Sequence, residues 1–386
     1  MNHSFTNFTN IDVPNQEKEA VWKAFHEGKP SRVPVLLVTN PRIYLLDPRL
    51  NERGITFERY FTDPTTMIET QLQYNLHLAQ VINRYCDNPV GLPEKWTVYV
   101  DNQNVFEAAY LGAEIHYRQG QVPGTVPFCE GKNKEAIFDR DITRPLTRGF
   151  YHQRLEFYAR MVELTQNMTF MDRPIEVIPY AFAGTDGPVT MAMNIRGTEF
   201  MTDLILDPDY AHRLMSFITE AAINGVQAFR AYWGNEEGGK LADDSIQLIS
   251  SKMYREMVLP HHRHYLDTLK PGQPRGIHLC GDATRHFKTI HDELNVVEFD
   301  TGFPVDFGQL RRELGPDVLI YGGVEIALLL NGTPQEVYGR AKSILLSGIK
   351  EGGRFILRDA NNLPPCVPEE NMAAMYRACL DYGECE

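Results

Sequence analysis

From residue 150 onward the chain repeats one unit: a stretch with apolar residues at helical spacing, then a short apolar run rich in β-branched residues. The spacing predicts helices over about 151–168, 208–233, 251–269, 284–293, 306–313 and 334–347, with a last one over 368–382. The runs at 175–180, 240–244, 276–281, 296–300, 318–323 and 354–359 are the predicted strands. Single helices between such runs imply parallel strands joined by right-handed crossovers. Upstream, Val21, Trp22 and Phe25 mark a helix over 16–28, closed by Gly28, Lys29 and Pro30. The apolar run 33–38 follows as a first strand, and 64–86 is amphipathic through Met67, Ile68, Leu72, Leu76 and Ile82. Residues 96–130 mix short strand-like pieces with Gly and Pro, and read as an insertion or β-hairpin beside the main body.

The number of units favours a closed (β/α)8 TIM barrel over an open doubly wound sheet. No Gly-x-Gly-x-x-Gly opens a helix after the first strand, which leaves a dinucleotide-binding sheet without support. A length of 386 residues fits one such domain, 1–386, with an N-terminal helical extension and a small inserted hairpin.

In a barrel of this kind the chemistry sits where strands end and loops begin. Several predicted strands end in polar groups: Asp243-Asp244, His278-x-Cys280, Asp300-Thr301, Glu325 and Asp359. His278 and Cys280 stand two apart on a strand, so their side chains share a side. An imidazole beside a thiolate suits zinc, although a buried thiol next to a hydrogen-bonded structural His has the same spacing. Zinc needs a third protein ligand, and Cys366, after Pro364-Pro365, is a candidate; a plain loop thiol is the other reading. One of Asp243 and Asp244 faces inward if the segment stays extended, and the pattern does not choose between them. The inward carboxylate could serve as ligand, base or substrate orienter, and the pair could equally cap the following loop. Tyr180 reaches the cavity or packs in the core, and the Gly184–Pro188 loop brings Asp186 to a substrate or turns the chain.

Charge and cysteine usage narrow the class of function. Lys and Arg number 38 against 51 Asp and Glu, a formal charge of −13, which argues against binding nucleic acid or an acidic membrane by bulk electrostatics. No stretch of about 18 apolar residues is present to cross a bilayer. Cysteines at 86, 129, 280, 366, 379 and 385 lack framework spacing, and the first residues lack basic and apolar leader regions. Reduced thiols in a cytoplasmic setting are the expectation.

One set of motifs runs nearly the whole chain in order. It comprises Arg32-Val33-Pro34-Val35, Gly184-Thr185-Asp186-Gly187-Pro188 with Arg196-Gly197, and Ala242-Asp243-Asp244 with Ile249-Ser250 and Leu259-Pro260. It continues with His278-Leu279-Cys280-Gly281, Asp300-Thr301-Gly302, Tyr321-Gly322-Gly323, and Asn361-Asn362-Leu363-Pro364-Pro365 with Glu370-Asn371. In these residues the chain resembles the uroporphyrinogen decarboxylase superfamily, and is closer to its zinc- and corrinoid-dependent methyltransferases than to the true decarboxylases. The resemblance implies transfer of a methyl group between a small substrate (methyl ether, methylamine or thiol) and a corrinoid carried by a partner protein, with a homodimer as the family habit. It implies zinc held by His278, Cys280 and a distant Cys, with His278 and Asp243 or Asp244 doing the chemistry and Tyr180, Asp186 and Asn361 meeting the substrate. The position of the distant Cys, counted back from Pro365, is Asn361 here, so Cys366 as a displaced ligand or an acidic side chain would have to complete the site. In the decarboxylase branch an arginine-rich stretch follows the first strand; here residues 38–44 hold only Arg42, and Asp101 resembles that branch's catalytic aspartate. Tetrapyrrole decarboxylation is therefore the alternative, and the missing Cys at 361 leaves room for a non-catalytic barrel in a corrinoid system.

Overall fold

The computed structural model describes residues 8–179 and 185–385. Twelve strands lie among them: β1 (Val35–Leu36), β2 (Trp96–Val98), β3 (Glu114–His116), β4 (Gly124–Val126), β5 (Thr169–Phe170) and β6 (Arg173–Val177) come first. They are followed by β7 (Thr185–Asp186), β8 (Leu241–Ala242), β9 (Arg275–Leu279), β10 (Val296–Thr301), β11 (Leu319–Val324) and β12 (Phe355–Asp359). β7 to β12 lie side by side in chain order, and β1 pairs with the outer edge of β12. Every pairing in this sheet is parallel. β2 pairs in parallel with β6, just upstream of β7. This is the strand order of a (β/α)8 barrel with helices outside it; among the described residues no ladder joins β1 to β2. No helix among them is long and apolar enough to cross a membrane.

Strands that are covered on both faces need apolar residues on both, and the sequence supplies them. All five residues of β12 are buried, as are all but one of β11. The helices are delimited by ordinary cap chemistry. Pro208–Trp233 starts with the Asp207 side chain accepting the Tyr210 N–H and Pro208 in the first turn, and stops at Gly234 in the left-handed region. Pro334–Leu345 carries a full capping box between Thr333 and Glu336. Asp87 ties the start of β1 to the last helix, Glu369–Tyr382: its buried carboxylate takes a bidentate pair from Arg32 and accepts from the Val35 N–H and the Tyr376 hydroxyl.

Two sequence expectations change. The 96–130 segment is not all insertion: β2 belongs with the parallel strands, and only β3 and β4 form the antiparallel hairpin. A three-residue strand among Gly and Pro carries too little periodicity to be separated from a hairpin arm. The helix expected over 251–269 is broken into Ser251–Met253, a π-turn at Tyr254–Val258, and Leu259–Leu269, which has Pro260 in its first turn. A proline there removes a backbone donor and forces the local rewinding.

Candidate metal centre

The alternation expected along β9 holds. Ile277 and Leu279 are buried, while His278 is half-buried and points to the opposite side together with Cys280. His278 Nε2 lies 2.9 Å from Cys280 Sγ. Its Nδ1 lies 2.8 Å from Asp300 Oδ2, at the end of the neighbouring β10, and Arg358 from β12 bonds the other Asp300 oxygen at 2.7 Å. Residues from β9, β10 and β12 thus form a chain of contacts, Cys280–His278–Asp300–Arg358, that passes over β11. Gly302 lets β10 approach so closely: a Cβ there would lie 2.5 Å from the Gly281 nitrogen and 2.7 Å from the Cys280 Cα.

Asp244 supplies a third donor. Its Oδ1 accepts the Cys280 N–H at 2.6 Å. Ligand atoms of Asp244, His278 and Cys280 all lie within 4.8 Å of one another, and no other group of three His, Cys, Asp or Glu is so arranged among the described residues. One nitrogen, one sulfur and one oxygen donor at half-buried strand ends, open to a further ligand, form a set of the kind that holds zinc in catalytic sites.

Asp243, expected as a catalytic alternative to Asp244, has different partners. The chain leaves β8 at Ala242 and enters a 3₁₀ turn over Asp244–Leu248, so strand alternation no longer governs the pair. Asp243 is fully buried and accepts the N–H groups of Val189 and Thr190, the Thr190 hydroxyl and His262 Nε2. It anchors the N-terminus of the helix Pro188–Arg196. Gly187 makes room for it, since a Cβ there would lie 2.5 Å from the Asp243 side chain.

Cys366, the other candidate ligand, lies apart from the trio. The turn after Pro364-Pro365 places it in left-handed backbone (φ 65°), exposed, in a pocket it shares with Asp47, Arg49, His77 and Glu369, and it is no member of the donor trio. Asn361 follows β12 with its side chain bonded to Asn362; among the described residues no hydrogen bond links it to the trio. Tyr180 lies outside the described residues. Asp186 is enclosed near the trio: burial, then the charges of Asp244 and Asp243, push its carboxyl up to about 7, with His278 working the other way.

Electrostatics couple these groups. Burial would lower the His278 pKa, but the hydrogen bonds to Asp300 and Cys280 outweigh it and raise it to about 11. Burial raises the Cys280 thiol, with His278 opposing. Asp300 is also buried, yet His278 and Arg358 hold its carboxylate below the usual range. Two further residues act on these groups. Glu107 accepts the Asp186 N–H at 2.7 Å, and burial and Asp186 push its own carboxyl well up. Arg42, lowered by burial, is drawn the other way by Asp101, Tyr99 and Cys280, which sets it beside the trio. Arg42 is the one arginine of the stretch after the first strand, whereas Glu107 sits in no motif that strand-end reasoning could flag.

The uroporphyrinogen decarboxylase (URO-D) family model matches residues 98–382. The methylated-thiol–coenzyme M methyltransferase of Methanosarcina mazei is 32% identical over 215 residues, 54% of this chain and 54% of that protein. The methylcobamide:CoM methyltransferase MtbA of the same organism is 22% identical over 197 residues, 51% of this chain and 56% of that protein. The matches span about half the length of these curated relatives. A solved structure described as a methyltransferase from Methanosarcina mazei superposes with a TM-score of 0.64 at 19% identity, covering 96% of this chain and 99% of that one. That likeness bears on the fold.

Proposed function

Since the chain belongs to the uroporphyrinogen decarboxylase (URO-D) family, we propose that it is a methyltransferase moving a methyl group between a small substrate and a corrinoid on a partner protein, with zinc held by His278, Cys280 and Asp244. The observation that carries this reading is the N, S, O donor trio at the strand ends, in a chain similar to a methylated-thiol–coenzyme M methyltransferase. Zinc bound there would supply Lewis acidity toward the heteroatom that keeps or gives up the methyl group.

The protein's own groups do the rest. Asp300 accepts from His278 Nδ1 and so leaves Nε2 toward Cys280, while Arg358 fixes Asp300. Asp244 holds the backbone of Cys280 through one oxygen and leaves the other for the site. The heteroatom that loses a methyl keeps the bonding electrons and needs a proton. Asp186, pushed up to about 7, holds one near neutrality, at the side of the trio where Asp244 and His278 are felt. The corrinoid partner would cover the strand-end face, where β9 and β10 carry these groups.

The test of the reading is turnover: zinc-loaded protein with methylcobalamin and thiols, or with cob(I)alamin and methyl ethers, methylamines or methylated thiols, followed by visible absorbance. Turnover with at least one pair is expected; none with any pair would remove the methyltransferase assignment. A tetrapyrrole decarboxylase is the second reading, carried by Arg42 and Asp101 lying within electrostatic reach of each other. Carbon dioxide release from uroporphyrinogen would move the assignment there.

Two further outcomes follow from the local chemistry. Zinc must displace protons held by its ligands. With His278 raised to about 11 and the Cys280 thiol raised as well, binding at pH 7.5 should release one proton from each. Affinity should therefore climb with pH, and calorimetry in buffers of different ionisation enthalpy measures the release. Asp300→Asn keeps the shape but loses the charge that orients His278, and should weaken zinc binding by roughly 10–100-fold, read by competition with a chromophoric chelator.

A further inference from the structure

Away from the strand ends, two outer helices pack together and bring a second pair of imidazoles into register. His212 lies in the first turns of the helix Pro208–Trp233, and His261 lies in the first turn of Leu259–Leu269. Nδ1 of His212 is 3.2 Å from Nε2 of His261, with the rings 5.5 Å apart and inclined by 42°. Both side chains are half-buried, so the pair opens to solvent on one side.

We propose that His212 and His261 form a second metal site, taking a borderline divalent ion such as Ni(II), Cu(II) or Zn(II) and clamping the two helices together. Two metal–nitrogen bonds of about 2.0–2.1 Å at a tetrahedral angle place the two nitrogens roughly 3.3 Å apart, close to the separation present. Each helix already delivers its ring to within that separation. Imidazole pairs suit zinc, copper and nickel, with Cu(II) bound most tightly of the three. A metal ligand must be unprotonated at the working pH. Burial, followed by His212, His262 and His264, lowers His261 to about 4, so that ring is neutral throughout the physiological range. Water fills the remaining coordination positions from the open side. The other histidine on this face, His264, is engaged with Glu220 at 2.6 Å and lies outside the pair.

A plain hydrogen bond between one N–H and one lone pair has the same separation, and the experiment separates the two. The His278→Ala/Cys280→Ser protein, stripped of metal, is titrated with Ni(II) by calorimetry while its melting temperature is followed. One equivalent should still bind, and nickel should raise the melting temperature by several degrees. Adding either His212→Asn or His261→Gln should abolish both effects, and circular dichroism checks that each variant is folded. No retained equivalent, or retention unaffected by both substitutions, overturns the proposal. Because His278 and Cys280 are absent throughout, either result leaves the methyltransferase reading where it stands.

Discussion

His278→Ala is expected to empty the strand-end centre and lower methyl transfer by roughly a thousandfold or more, with the fold intact. The magnitude follows from the several kcal/mol that a bound Lewis acid contributes to charge stabilisation, at about 1.4 kcal/mol per decade of rate. His278 is 28% exposed and lies near the end of β9, on the side opposite the buried Ile277 and Leu279, so its removal leaves the apolar core in place. Its loss would, however, free Asp300 from one partner, leaving the Arg358 pair intact at 2.7 Å. Cys280→Ser should act in the same direction, since a hydroxyl is a poor substitute for a thiolate toward zinc. Steady-state turnover, metal content and thermal melting, measured on the same preparations, check the three parts of this expectation. A variant that loses its metal and melts normally but turns over at the wild-type rate would separate the chemistry from the trio.

The second large effect is on stability. Asp243→Ala should destabilise the protein by about 3–5 kcal/mol, because it strips partners from a buried network. Two backbone N–H groups, the Thr190 hydroxyl and His262 Nε2 all lose their acceptor at a fully buried position. Tyr254, bonded to His262 at 3.1 Å, is the next member of the same network and gives no alternative acceptor for the helix end. Urea denaturation measures the loss. The neighbouring change, Asp244→Ala, should do the reverse: small in stability, large in zinc affinity. Equal effects of the two substitutions on zinc would mean that the carboxylates have been assigned to the wrong sides.

These two neighbours mark where reading the sequence stopped working. The His-x-Cys pair was legible because strand alternation is a rigid rule over the five residues of β9, and the parallel strands from β8 onward stood out for the same reason. Asp243 and Asp244 stand just past a two-residue strand, in a 3₁₀ turn, where no period decides which side chain turns inward. The place of Cys366, apart from the trio, depends on a left-handed turn after two prolines, a feature of tertiary packing rather than of spacing. Asp300 was visible as a polar strand end, but its role came only with the β9–β10 register that sets Asp300 opposite His278. Glu107 comes from a five-residue helix far upstream in the chain, and only the folded structure brings it to Asp186.

The family match and the donor trio carry separate parts of the account. The match extends over residues 98–382 and fixes the kinship; the trio proposes what the kinship does in this chain. Zinc here would rest on one sulfur, with the Asp244 carboxylate standing where a second thiolate would otherwise be needed. A harder oxygen ligand leaves the bound ion more electrophilic than a second thiolate would, which suits activation of a weakly basic ether or thioether heteroatom.

X-ray absorption at the zinc edge of the loaded protein reads that ligand set directly. The account predicts a single sulfur at about 2.3 Å with nitrogen and oxygen neighbours at about 2.0–2.2 Å, the sulfur vanishing in Cys280→Ser and unaffected by Cys366→Ser. Two sulfurs, a sulfur lost with Cys366, or a protein that takes up no zinc would contradict it.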